Sequence, residues 1–298
     1  MKPIRHVTAV LLLVAFAAVG CSKRDETLHA KENSRDTAAK PITLPVATRD
    51  EPVKRVSDEK RESAVIPTMA GLVSFGDGEA AYRARNYSDA TVIFEHYTAE
   101  RPGNAWGHYM LGLSAWKSGD LAKSERSFER ALAIDPHHVK SLVNLSRVFL
   151  DQKRHDDAIG TLTRAADIDP ESVQVYRLLG RSYHNRGKRD EAVDAYRRAI
   201  ELNELDAWSM NNLGLIFLET KRADEALPLL ARAVELKPEV PAFHNNLGMA
   251  LEHTGRFGEA ATAYEGALAA DPGYDKATRN LARIEALQVK SPDDGTRN

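Results

Sequence analysis

Between residues 71 and 274, apolar side chains recur three and four residues apart in runs of about a dozen residues, and short polar turns separate the runs. That spacing predicts amphipathic helices, each with one stripe to bury. The turns keep time: prolines stand at positions 102, 136, 170, 238 and 272, so every gap between neighbours is 34 residues or twice 34. Glu204 fills the one missing beat. A period of this length marks a stack of copies of one helical hairpin, and it divides the region into six units, 71–104, 105–138, 139–172, 173–206, 207–240 and 241–274.

Aligned on that period, the columns form a packing code. The eighth position of the units reads Gly78, Gly112, Ser146, Gly180, Gly214 and Gly248, and the twentieth reads Ala90, Ser124, Ala158, Ala192, Ala226 and Ala260. Large groups occupy the twenty-fourth, namely Phe94, Phe128, Leu162, Tyr196, Leu230 and Tyr264, while the twenty-seventh is alanine except at Tyr97. Small residues let two helices approach, and the ring or leucine a turn away fills the gap beside them. Gly119, Gly187 and Gly255 fall between the two helices of their units, where positive φ is expected, and Lys153 and Lys221 take that place in units three and five. In unit one Asp77 stands where the others have an apolar residue, and Gly76 and Gly78 flank it, so the first helix is expected to be short or shifted. A further helix is predicted from Lys276 to about Val289, with Ala277, Leu281, Ile284 and Leu287 on one face, to cap the open end of the stack within 275–290.

These residues carry a resemblance. A Leu-Gly pair, then alanine, then an aromatic, then alanine, then Asp-Pro, at a 34-residue period, resembles the tetratricopeptide repeat family over about three quarters of the chain. The resemblance implies an all-α fold, a right-handed superhelical solenoid of six hairpins plus the capping helix, with a concave groove lined by the first helix of each pair. It also implies a non-enzymatic protein that binds other proteins.

Positions two, five, nine, twelve and thirteen of each first helix form one stripe, which in this family lines the concavity. Its N-terminal half is basic and aromatic, with Tyr82, Trp106, Tyr109, Trp116, Lys117, Lys140, Arg147, Arg177 and Arg181; the far half, with Trp208, Asn211, Glu219, Asn245 and Glu252, is amide-rich and mildly acidic. Position six adds Asn144, Asn212 and Asn246, which resemble the asparagines that hold extended peptides in members of the family, because an amide both donates and accepts. Met110 and Leu178 interrupt that column. Arg177 and Arg181, one turn apart, are expected to receive a carboxylate, and Trp106, Trp116 and Trp208 to supply apolar contact, so the expected ligand is an extended peptide that is acidic or ends in a carboxylate. The plainer alternative is that the stripe is a set of solvated helix faces.

No glycine-rich phosphate loop, G-x-S-x-G turn or H-E-x-x-H pair occurs, so no catalytic site and no cofactor is expected. His137 and His138 at a turn are read as solvent-facing rather than metal-binding, and His108 and His244, both at position four, as structural. A formal charge of -2 gives no basis for nucleic acid binding. Lys2 and Arg5 precede an apolar run from Val7 to Val19, too short for a comfortable membrane span and suited to an export signal over residues 1–20. The run ends in Ala18-Val19-Gly20-Cys21, and Cys21 is the sole cysteine. This resembles the bacterial lipobox, with Cys21 as the lipidated residue; cleavage after Ala15-Phe16-Ala17 is the alternative, leaving a soluble periplasmic product. Ser22 resembles the pattern of lipoproteins sent to the outer membrane. Residues 21–70, rich in charge and interrupted by Pro41, Pro45, Pro52 and Pro67, read as a disordered tether of about 40 Å root-mean-square span, and 291–298 as a disordered tail. The layout resembles that of pilus- and secretin-assembly lipoproteins, and an adaptor that docks cell-wall enzymes is the alternative.

Overall fold

The computed structural model describes residues 73–290; the expected export signal, tether and tail lie outside the described residues. Thirteen helices make up the described residues: α1 (Phe75–Arg83), α2 (Tyr87–Glu100), α3 (Ala105–Ser118), α4 (Leu121–Ile134), α5 (Val139–Asp151), α6 (His155–Ile168), α7 (Val173–Asn185), α8 (Arg189–Leu202), α9 (Ala207–Glu219), α10 (Ala223–Leu236), α11 (Pro241–His253), α12 (Phe257–Ala270) and α13 (Asp275–Lys290). Each packs chiefly on the helix before and after it, and first helices of adjacent units also touch, as a solenoid of hairpins requires. None is long and apolar enough to cross a membrane.

The packing code reads directly in the contacts within each hairpin. A Cβ placed on Gly180 would lie 2.7 Å from the Tyr196 ring, and one on Gly112 would lie 2.8 Å from Phe128, so the second helix lays its large side chain on bare backbone of the first. Tyr196, Phe128, Phe94 and Tyr264 are all fully buried. Where unit two has Ser124 in the alanine column, the buried hydroxyl donates to the Gly112 carbonyl at 2.7 Å. Tyr97, the exception to the last alanine column, is accommodated by Gly107 in the next unit, where a Cβ would meet the ring at 2.8 Å. Asn104, the residue that caps α3, also donates to the Tyr97 hydroxyl at 3.0 Å.

Every hairpin turns on a residue with positive φ at its fifteenth position: Gly119, Gly187 and Gly255 in units two, four and six, and Arg85, Lys153 and Lys221 in the others. The three glycines and two lysines stand where the spacing placed them; Arg85 went unread because unit one lacks the glycine signal. The first helix is indeed short, and Asp77 explains why it starts late. Its carboxylate accepts from the Ser74 backbone amide at 3.1 Å while Asp77 N donates to Ser74 Oγ, a reciprocal cap that opens α1 at Phe75. At the other end α13 begins 34 residues after α11, with Ala277 and Ile284 buried against unit six, so the cap is the first helix of a further unit held in phase. His108 and His244 are structural, their Nε2 atoms lying 3.1 and 2.9 Å from the carbonyls of Pro102 and Pro238 in the preceding turns.

Replacing Gly180 by Ala gains helix propensity worth at most about 1 kcal/mol, but drives a methyl group into Tyr196, an overpacking that costs about 1–3 kcal/mol. A net loss of stability in urea melts is therefore expected, and the same change at exposed Gly258, which has nothing within 4 Å of an added Cβ, should be neutral or stabilising.

Candidate peptide-binding groove

Neighbouring first helices are offset by one residue as well as by one unit. A side chain at one position of the stripe therefore meets the next position of the following unit, 35 residues on. Asn144 Nδ2 lies 3.4 Å from the Tyr109 hydroxyl, Trp116 Nε1 donates to Asp151 at 2.8 Å, and Asn246 Nδ2 donates to Asn211 at 2.8 Å, all at this separation. His184 Nε2 lies 3.0 and 3.1 Å from the two Glu219 carboxylate oxygens in the same relation. Much of the predicted stripe is thus a hydrogen-bonded wall between units.

The far half is the clearest case. Asn280 donates to Asn245, Asn245 to Asn246, Asn246 to Asn211 and Asn211 to Asn212, an amide chain running through three units. Asn212 and Asn246 are 3% and 0% exposed. Asn246 thus joins two first helices directly, and Asn212 ends the chain by accepting from Asn211 of its own helix. Trp208 packs edge-on against Phe243 at 4.9 Å, and its ring nitrogen is buried with no hydrogen-bond partner among the described residues. Arg177 donates to the buried carboxylate of Asp206 at 2.7 Å, and Asp206 also accepts from Ser209, so the expected pair of carboxylate receivers is divided. Arg181, half-buried on the next turn, adds its positive field to burial in keeping His155 below the usual histidine value.

The near half differs. Asn144, Arg147 and Trp116 come together with Tyr82, Tyr109 and Lys140 around a cavity of about 570 Å³ on the first helices of units one to four. Asn144 is held from three sides: it donates to the Lys140 carbonyl at 2.9 Å, accepts from Arg147 at 3.0 Å and meets Tyr109. Lys117 and Arg147 lie over the Trp116 ring at 4.5 and 5.9 Å, and Lys140 over Trp106 at 5.0 Å. Burial, then the neighbouring Tyr87 and Tyr109, pushes the Tyr82 hydroxyl up to about 12, and burial raises Tyr109, so both phenols face the cavity as neutral donors. Leu113, Val139 and Val143 supply apolar wall, and Asp169 a lone carboxylate.

His138 corrects the reading of its turn. It caps α5, with Ser141 N donating to its Nδ1 at 3.2 Å, and its ring meets Trp106 and Tyr109 edge-on at 5.5 and 5.2 Å, so it belongs to the aromatic cluster rather than to solvent. His137 is exposed. Among the described residues no group of three or more His, Cys, Asp or Glu is placed to hold a metal. Cys21 lies outside the described residues. Sequence reasoning missed Asp206 and Asn280; extending the 34-residue phase into the cap would have found Asn280 at position six.

The repeat architecture agrees with the comparisons. A model described as the tetratricopeptide repeat matches residues 109–173, 177–241 and 223–275, more than half of the chain, and the protein belongs to that family. A crystal structure of the MamA protein is similar at 26% identity and a TM-score of 0.51, covering 58% of this chain and 94% of MamA. Pseudomonas aeruginosa PilF shares the fold at 17% identity, with a TM-score of 0.61 over 70% of this chain and 95% of PilF. YrrB, titled a TPR protein with an unusual peptide-binding site, shares it at 19% identity with a TM-score of 0.51, covering 62% of this chain and 96% of YrrB. A probable biofilm formation methyltransferase, WspC of Pseudomonas putida, is 26% identical over 152 residues, half of this chain; the chain spans about a third of that protein's length.

Two stability outcomes follow from the wall. Arg177→Ala leaves Asp206 buried without its cation and should cost about 2 kcal/mol or more, read by urea denaturation, discounted from a fully buried pair because the arginine is partly exposed. Burial alone would raise the Glu219 carboxyl, but hydrogen bonding and charge from His184, with Arg189 beside them, hold it below the usual carboxylate value. A depressed folded value means that the contribution is complete above the unfolded chain's value and fades as pH falls through the folded one. Wild type and Glu219→Gln should therefore differ by about 1–3 kcal/mol at neutral pH and converge as pH drops below the ordinary value of 4.5. A constant gap between the two across pH 7 to 3 would show that the ion pair contributes nothing.

Proposed function

We propose that this chain is a non-enzymatic binding scaffold that holds an extended segment of another protein against its concave face, tethered to a membrane through Cys21. The observation that carries the binding reading is the cavity on units one to four: Tyr82, Tyr109, Trp116, Asn144 and Arg147 line it together, held in place by their contacts with one another. Solenoids use such concave surfaces because a long shallow wall meets an extended chain over many units. Of the residues expected to contact the ligand, Asn144, Arg147 and Trp116 line that cavity and Trp106 lies beneath Lys140 beside it, while Arg181 is not among the lining residues. Asn212, Asn246, Trp208 and Arg177 act at one remove, by keeping the first helices in register. The role assigns no catalytic step and no cofactor to the chain. The methyltransferase named for the Pseudomonas putida relative belongs to a protein of which this chain spans a third.

The tether reading rests on the basic start, the apolar run and the sole cysteine at its end. It places the repeats on the periplasmic side of a bacterial outer membrane, where they would hold a component of an envelope assembly of the pilus or secretin kind. Cys21→Ser should move the protein from the membrane fraction to the soluble one. Mass spectrometry of the mature N-terminus decides between the two processing routes: a diacylated Cys21 supports the tether, and an unmodified N-terminus at Ala18 overturns it.

A further inference from the structure

The polar groups of the concave row are unevenly engaged. Toward the C-terminal end Arg177 is answered by Asp206, His184 by Glu219, Glu252 by Arg283 and Tyr264, and the asparagines by one another. This half is a spine with its hydrogen bonds closed. At the N-terminal end Lys140 is exposed, and no hydrogen bond or ion pair reaches its ammonium among the described residues; it rests over Trp106, itself 39% exposed. Lys140 stands at the mouth of the cavity, whose lining carries three cations, Lys117, Lys140 and Arg147, against the single carboxylate of Asp169. A second carboxylate nearby, Asp151, accepts from the Trp116 ring nitrogen and keeps its charge, so the cations exceed the carboxylates by three to two.

We infer that this cavity selects an acidic segment of a partner protein, with one aromatic or aliphatic side chain seated in the cavity and a neighbouring aspartate or glutamate on Lys140. The inference rests on the reading of the concave face as the binding surface. Three observations converge on it. The walls are aromatic and aliphatic, and the space of about 570 Å³ suits a side chain with its flanking backbone, far less than a folded domain. The excess of cations around it raises the local concentration of acidic chains and repels basic ones. A lysine resting on an indole has its long stem ordered already, so a carboxylate meets a positioned cation and less side-chain freedom is lost on binding. The expected carboxylate receiver thereby moves from Arg177, which the wall has engaged, to Lys140.

Three synthetic decapeptides of one frame test this: a central Phe-Leu pair flanked by aspartates, by asparagines or by lysines, each blocked at both ends so that no terminal charge contributes. Binding to the full-length protein is followed by fluorescence anisotropy at low and moderate salt, with Lys140→Ala, Lys140→Glu, Trp106→Ala and, as a control outside the cavity, Lys188→Ala. The expected result is that the aspartate peptide binds, more weakly as salt rises. Lys140→Ala should weaken it about tenfold and Trp106→Ala comparably, with no change in Lys188→Ala. Lys140→Glu should shift preference toward the lysine peptide. Equal affinity for all three peptides, or an aspartate peptide indifferent to Lys140, overturns the acidic selection while leaving the groove as a peptide site. Failure of all three peptides to bind removes the groove reading as well.

Discussion

The stack depends on a ring lying on bare backbone. In five of the six hairpins a phenylalanine, tyrosine or leucine from the second helix occupies the space that a side chain would fill if the facing glycine of the first helix had one; unit three has Ser146 at that position. Two helices joined this way have one depth of approach and one rotation, because the ring locks between ridges that alanines keep low. Everything outward of that contact inherits its geometry. The left-handed turn at position fifteen, whether glycine, lysine or arginine, brings the chain back along a partner placed at that distance. Unit one keeps the contact between Gly78 and Phe94 even though its first helix has lost a turn, which shows what the repeat can do without and what it cannot.

Once the hairpins are fixed, the offset between units decides what the concave surface is for. Side chains 35 residues apart fall opposite one another, so a polar group in one unit is either matched by the next unit or left for a ligand. In units five and six and the cap, asparagines at positions five and six match each other. In unit four Arg177 and His184 find Asp206 and Glu219. In units two and three Trp106, Tyr109 and Lys140 stack on one another, and the cross-unit links Asn144 to Tyr109 and Trp116 to Asp151 leave a cavity beside them. One row of positions thus serves as spine at one end and as candidate site at the other, and the difference lies in residue type alone.

The fold was legible in the sequence because contacts inside a hairpin recur at fixed columns: Gly180 on Tyr196 repeats Gly112 on Phe128, and reading down a column exposes the pairing. Contacts between units were less so. A helical wheel shows that Asn212 and Asn246 share a face, but not that the neighbouring first helix sits one residue out of step and covers them. His138 was misjudged for a related reason, since its neighbours Trp106 and Tyr109 lie a full unit earlier in the chain. The cavity sat within the stripe that periodicity picked out, so Trp116, Asn144 and Arg147 were found together. Which arginine the wall engages depends on Asp206, a capping residue at the last position of its unit, away from the packing columns and the stripe.

The amide chain carries an implication for how such a molecule lengthens. The links between units, Asn280 to Asn245 and Asn246 to Asn211, both donate toward the N-terminus, while Asn245 and Asn211 each donate to the next residue of their own helix, so units five and six repeat one arrangement. The last amide, Asn280, is closed from behind by Arg283, which donates to its oxygen and also grips Glu252. A duplicated hairpin inserted before α13 would therefore find the same amide partners on either side, whereas at α13 the partner of the last amide is already a guanidinium.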